Sequence, residues 1–133
     1  MEWSLGPGDA GSARTIRHLI TQALRDAAVP GSDLDSAELV VGELLSNVVV
    51  HTSGPARVCL SWDGRYPQLE VVDHGPGTED LPWVLPQDPL ATGGRGLYLV
   101  AQLARGVSVE ARPTGGATIT VTLDVPRADP HAL

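Results

Sequence analysis

The order of patterned segments predicts an α+β domain, with two helical stretches in the first half of the chain and two strand pairs bracketing a third helical stretch in the second. Three observations carry this. Apolar residues recur at helical spacing from Ala13 to Ala27 and from Ala37 to Val48; alternation of period two runs through 57–62 and again through 107–125; and glycine-bearing turns separate the members of each strand pair. At 133 residues the chain fits a single domain, expected over 1–125, with a frayed tail at 126–133.

In the first helix Ala13, Ile16, Ile20, Ala23, Leu24 and Ala27 form the apolar stripe, Ser12 stands where a cap belongs, and Pro30 with Gly31 ends the run. A second helix begins near Asp33 to Asp35. It collects Ala37, Val41, Leu44, Leu45 and Val48 on one broad arc, while Glu43, Asn47 and His51 advance by four residues along the edge of that arc. Segment 57–62 sets Val58, Leu60 and Trp62 against Arg57, Cys59 and Ser61, and Asp63-Gly64 predicts a tight turn into a strand over 67–73. From Gly77 to Gly93 prolines interrupt any period, which predicts a mobile loop. Leu97 to Ala104 returns to helical spacing, and Val107 to Arg112 and Ala117 to Val125 pair around Gly115-Gly116. Met1 to Leu5 is open to a first strand.

Composition narrows the function. Hydrophobic residues at 42% and charged residues at 19% describe an ordinary folded domain. No apolar run approaches the roughly 20 residues that span a bilayer, and the N-terminus lacks a basic-then-apolar layout, so a cytoplasmic protein is expected. The net charge of −7 repels phosphate backbones and anionic lipid, so neither nucleic acid nor a membrane is an expected partner. Cys59, the single cysteine, cannot form an internal disulfide and is expected as a small buried apolar residue. All nine basic residues are arginine, which excludes a Schiff-base lysine and the lysine of a Walker A loop. A nucleotide would have to be held by backbone amides, arginine or a metal ion.

Three clusters offer such chemistry. Glu43 and Asn47, one helical turn apart, project in the same direction, giving a base for a hydroxyl proton and a neutral oxygen for Mg²⁺. Asp73 closes an apolar strand, where a carboxylate can accept from an exocyclic amine, and Gly75 and Gly77 allow a flat ring to approach the backbone. Gly93, Gly94 and Gly96 precede a helix whose first amides can face phosphate oxygens. Each cluster alone is equally an ordinary polar helix edge, turn or loop. Their succession on helix, strand and helix is what gives them weight.

In that succession the chain resembles the GHKL ATPase/kinase superfamily of Hsp90-type chaperones, gyrase B, MutL and histidine kinases. Glu43-Leu-Leu-Ser-Asn47 is similar to its N box, Asp73-His-Gly75-Pro-Gly77 to its G1 box, and Gly93-Gly94-Arg95-Gly96-Leu97 to its G2 box. Within it, Glu-Leu-Leu-Ser-Asn-x-x-x-His-Thr and Gly-Gly-Arg-Gly-Leu-Tyr-Leu-Val resemble the anti-sigma-factor serine/threonine kinases of the RsbW and SpoIIAB type, in their actinobacterial form. The resemblance runs from about Ala13 to Val125.

It implies a two-layer sandwich of the Bergerat type, with about three helices on one face of a mixed, mostly antiparallel sheet of four to five strands. It implies an ATP-dependent protein kinase in which Glu43 is the general base, Asn47 coordinates Mg²⁺, Asp73 binds the adenine amino group and Gly75 and Gly77 shape the adenine pocket. Gly93, Gly94, Gly96 and Leu97 would lie beside the triphosphate, and Thr118 would place a hydroxyl near Asp73. Arg14, in the first helix, would meet nucleotide phosphate or a partner. Arg95 keeps three readings open: γ-phosphate, partner or solvent. His51 and His74, without a supporting cluster, are read as structural. The implied partners are a sigma factor and an anti-sigma factor antagonist, and homodimerisation is common in the group. The alternative is a module that binds ATP and sequesters a partner without transferring phosphate.

Overall fold

The computed structural model describes residues 1–51, 54–74 and 95–128, with residues 51 and 95–97 described only by their place in helices. In chain order the elements are β1 (Glu2–Leu5), α1 (Ala10–Ala27), α2 (Leu34–His51), β2 (Ala56–Ser61), β3 (Gln68–Asp73), α3 (Arg95–Leu103), β4 (Gly106–Ala111) and β5 (Ala117–Thr122). They form an α+β fold of helices on one sheet.

Both long helices start on an aspartate. Asp9 caps α1 by accepting from the Ser12 amide at 3.0 Å, so the cap lies three residues before the Ser12 expected from the sequence. Gly8, at φ 73°, turns the chain into that cap. Asp33 does the same for α2, accepting from the Ser36 amide at 3.0 Å and from its hydroxyl at 2.6 Å. Side-chain and then backbone hydrogen bonds from Ser12 hold Asp9 below the usual carboxylate range, and those from Ser36 do so for Asp33. On α1, Ile16, Ile20 and Leu24 are buried, and the buried Thr21 hydroxyl donates back to the Arg17 carbonyl at 2.8 Å. On α2 the buried arc is Ala37, Val40, Val41, Leu44, Leu45 and Val48, wide enough to pack against two helices and the sheet together.

The strand order is β1-β2-β3-β5-β4, and every pairing among the described strands is antiparallel. The mixed sheet expected from the resemblance is corrected here for a topological reason. β3 and β4 run the same way because α3 carries the chain back between them, but β5 inserts between the two and separates them. Register then sorts side chains by face. Leu5, Ala56, Asp73 and Ala117 stand in one row, Val58, Val71 and Ile119 in the next, and Leu60, Leu69 and Val121 in the third. All ten are buried and turned toward the helices.

The other face carries Arg57, Cys59, Ser61, Glu70, Thr118, Thr120 and Thr122. Cys59 is therefore not a core residue. It is half-buried between Glu2 of β1 and Glu70 of β3, because alternation sends it away from Val58 and Leu60. Burial pushes its thiol pKa up, and the nearby Glu2 charge adds to that.

Two connections differ from their sequence reading. The β2–β3 link is the whole of 62–67 rather than a tight turn at Asp63-Gly64, because its later residues are bonded to the C-terminal segment: the Leu123 amide donates to the Pro67 carbonyl at 2.9 Å and the Arg127 amide to the Arg65 carbonyl at 2.7 Å. For the same reason residues 126–128 are not frayed. The Val29 amide donates to the Pro126 carbonyl at 2.9 Å and the Ala128 amide to the Ala27 carbonyl at 2.8 Å, tying residues 126–128 to the end of α1. The turn at Gly115 and Gly116, at φ 107° and 76°, is the expected one.

Candidate functional site

Chain direction brings the expected residues to one end of the molecule. The Arg105 amide donates to the Thr122 carbonyl at 2.9 Å, so α3 finishes beside the sheet end formed by Gln68, Gly106 and Thr122. Its nine residues, roughly 14 Å of helix, start toward the opposite end, where Asp73 stands. α2 runs antiparallel to α3: Ser36 and Val40 from its first half share a cavity of about 180 Å³ with Gln102 and Leu103 from the last turn of α3. The second half of α2, with Glu43 and Asn47, therefore advances toward the start of α3.

Side matters as well as end. On a helix of about 100° per residue, Ser36, Val40, Glu43 and Asn47 share the side turned to α3, whereas Gly42, Leu45 and Val49 share the side turned to α1. Glu43 and Asn47 are half-buried. Asp73 is only 5% exposed, at the end of β3 on the helix-facing side of the sheet. A carboxylate this far from water requires donors facing it, unlike one in a surface turn. Glu43 and Asn47 therefore lie on the α3 side of the second half of α2, and Asp73 lies at the sheet end toward which α3 starts. Arg95, Gly96 and Leu97 form the first residues of that helix. Gly75, Gly77, Gly93, Gly94 and the loop expected from Gly77 to Gly93 lie outside the described residues.

Two further expectations land elsewhere. Thr118 pairs with Val72, one residue out of step with Asp73, so its side chain leaves the sheet on the opposite face. The residue beside Asp73 on its own face is Ala117, which has no hydroxyl. Arg14 lies on the far side of α2 from Glu43 and Asn47, lining a groove of about 300 Å³ between α1 and α2. Arg17 lies in the same groove, across Gly42: a Cβ there would come within 3.3 Å of the Arg17 guanidinium.

The sequence reading missed one contact at this end. Arg112, leading into the Gly115-Gly116 turn, donates to Nδ1 of His74, the residue after Asp73. That joins the β4–β5 turn to the exit of β3. Nothing in the local sequence couples positions 38 residues apart. Among the described residues no group of three His, Cys, Asp or Glu side chains gathers to hold a metal.

The family model of the histidine kinase-like ATPase domain matches residues 7–123, and the chain belongs to that family. ATP binding comes with the domain type. No curated protein matches the chain.

Proposed function

We propose that this chain is an anti-sigma-factor-type protein serine/threonine kinase that phosphorylates an anti-sigma factor antagonist. The observation that supports the reading best is Asp73, buried at the sheet end toward which α3 starts, with Glu43 and Asn47 on the α3-facing edge of α2. Asp73 accepts from the adenine amino group, and Gly75 and Gly77 border the ring. The amides of Gly93, Gly94 and Gly96, with Leu97, flank the triphosphate, and Arg95 meets the γ-phosphate or the partner. The side-chain oxygens of Glu43 and Asn47 are a donor set suited to a hard cation, and Asn47 is the Mg²⁺ ligand. Bound Mg²⁺ supplies charge neutralisation at the phosphates.

Glu43 accepts the proton of a partner Ser or Thr hydroxyl. That oxygen bonds to the γ-phosphorus as the β–γ bridging bond breaks, leaving ADP and a phosphorylated partner. Arg14, placed away from the cleft, serves as a partner contact. Sigma factor and antagonist compete for the protein, and phosphorylation ends antagonist binding.

Incubation with γ-labelled ATP, Mg²⁺ and an antagonist encoded beside the gene should label the antagonist on Ser or Thr. Glu43→Ala should abolish labelling and retain ATP. If folded, ATP-bound protein labels nothing, the module that sequesters without transfer replaces the kinase reading.

A further inference from the structure

At the sheet end opposite Asp73, three of the nine arginines gather on two aromatic rings. The Arg105 guanidinium lies 3.9 Å from the centre of the Tyr66 ring, with Arg65 5.9 Å from the same ring. Arg127 lies 5.6 Å from the centre of the Trp62 ring. Three cations held close together repel one another, and a protein with net charge −7 has no shortage of carboxylates to place among them. Yet among the described residues only Asp124 forms an ion pair there, with Arg105 at 3.4 Å and with both side chains about half exposed. Arg65 and Arg127 are exposed, and among the described residues neither has a carboxylate in ion-pair contact.

The fold does not need this clustering. The link 62–67 is already fixed by backbone bonds from Arg127 to Arg65 and from Leu123 to Pro67, and the end of α3 by the bond from Arg105 to Thr122. Stacking a guanidinium on a ring restrains it and leaves its edge N–H groups free to meet an oxygen pair. Arginine beside half-buried Trp and Tyr is the composition that carries most binding energy at protein interfaces.

We propose that Arg65, Arg105 and Arg127, on Tyr66 and Trp62, form a docking surface for an acidic segment of a partner protein. The occupant follows from charge complementarity: Arg65 and Arg127, which meet no carboxylate among the described residues, can take those of a short acidic segment, whereas a long polyanion such as a nucleic acid would extend into the negative field of the rest of the molecule. The site lies at the far end from the proposed kinase cleft and from Arg14, so it stands whether or not phosphate is transferred.

Fluorescence anisotropy with a labelled oligoglutamate peptide at low salt tests it on the full chain. Binding should weaken roughly tenfold in the double variant Arg65→Gln/Arg127→Gln, and equally on adding moderate salt, while Arg14→Gln/Arg17→Gln changes it little. Both variants keep the aromatic rings and Arg105, and unchanged thermal melting confirms that each is folded. If the Arg65/Arg127 variant misfolds, competition is read instead on the single variant Arg65→Gln, expected to lose severalfold. Absence of peptide binding, loss only with Arg14 and Arg17, or tighter binding of a single-stranded oligonucleotide than of the peptide would each overturn the proposal.

Discussion

In the proposed site Asp73 is the adenine contact, and at 5% exposure its carboxyl group is almost wholly removed from water. Replacing it with the isosteric amide puts N–H groups where an acceptor belongs. Asp73→Asn should weaken ATP binding by roughly 10- to 100-fold, the worth of a charge-assisted hydrogen bond, with circular dichroism unchanged. Thr118 makes the opposite case. Its hydroxyl projects from the far face of the sheet, so Thr118→Ala should leave ATP affinity within about twofold of the wild type, as distant sites without shared partners do. Titration of both variants with a fluorescent ATP analogue compares them directly. Cys59 supplies a third residue-scale outcome. With burial and then Glu2 raising its pKa, alkylation by iodoacetamide should be slow at neutral pH and rise only above the ordinary thiol range, whereas urea-unfolded chain should react at the ordinary rate.

At the scale of elements, α2 does two tasks, packing the core with one arc and presenting Glu43 and Asn47 with its edge. Leu44, fully buried on that arc, should cost about 2–5 kcal/mol when cut to Ala, read by urea denaturation. The Asp33 cap holds the start of the same helix. Its folded pKa is lowered, so its stabilisation is present above the carboxylate pKa of the unfolded chain and lost as pH falls through the lower folded value. Asp33→Ala should therefore melt below the wild type at neutral pH, with the gap closing under acid conditions.

Helix stripes and strand alternation made α1, α2 and both strand pairs legible in the sequence, and with them the stretch that carries Glu43 and Asn47. What remained hidden was relational. Ser12 and Asp9 are both acceptable caps by residue type, and only the turn at Gly8 selects Asp9. Thr118 stands two residues after Gly116, close to the position where the resemblance places a hydroxyl, but the register that aligns Ala117 with Asp73 is a property of two strands together. Residues 62–67 show turn chemistry, and their longer course depends on Leu123 and Arg127, which no local pattern connects to them.

At the scale of the whole molecule, the first and last described segments are both bonded into the fold. β1 forms one sheet edge, and 126–128 bind the end of α1 and the 62–67 link through three backbone hydrogen bonds, from Val29 to Pro126, from Arg127 to Arg65 and from Ala128 to Ala27. A chain ending at Val125 should lose about 2–4 kcal/mol and melt roughly 10 °C lower, measured by scanning calorimetry. An unchanged melting point would make those contacts incidental. In the proposed site the single helical layer and the sheet hold a polar edge of α2, the start of α3 and the end of β3 toward one end of the fold. Titration calorimetry with ATP and Mg²⁺ on the wild type, Asn47→Ala and Asp73→Asn tests that arrangement most directly. The account predicts one ATP per wild-type chain, binding tightened by Mg²⁺, loss of the Mg²⁺ effect in Asn47→Ala and loss of most affinity in Asp73→Asn. Wild-type binding that both folded variants retain undiminished would contradict it.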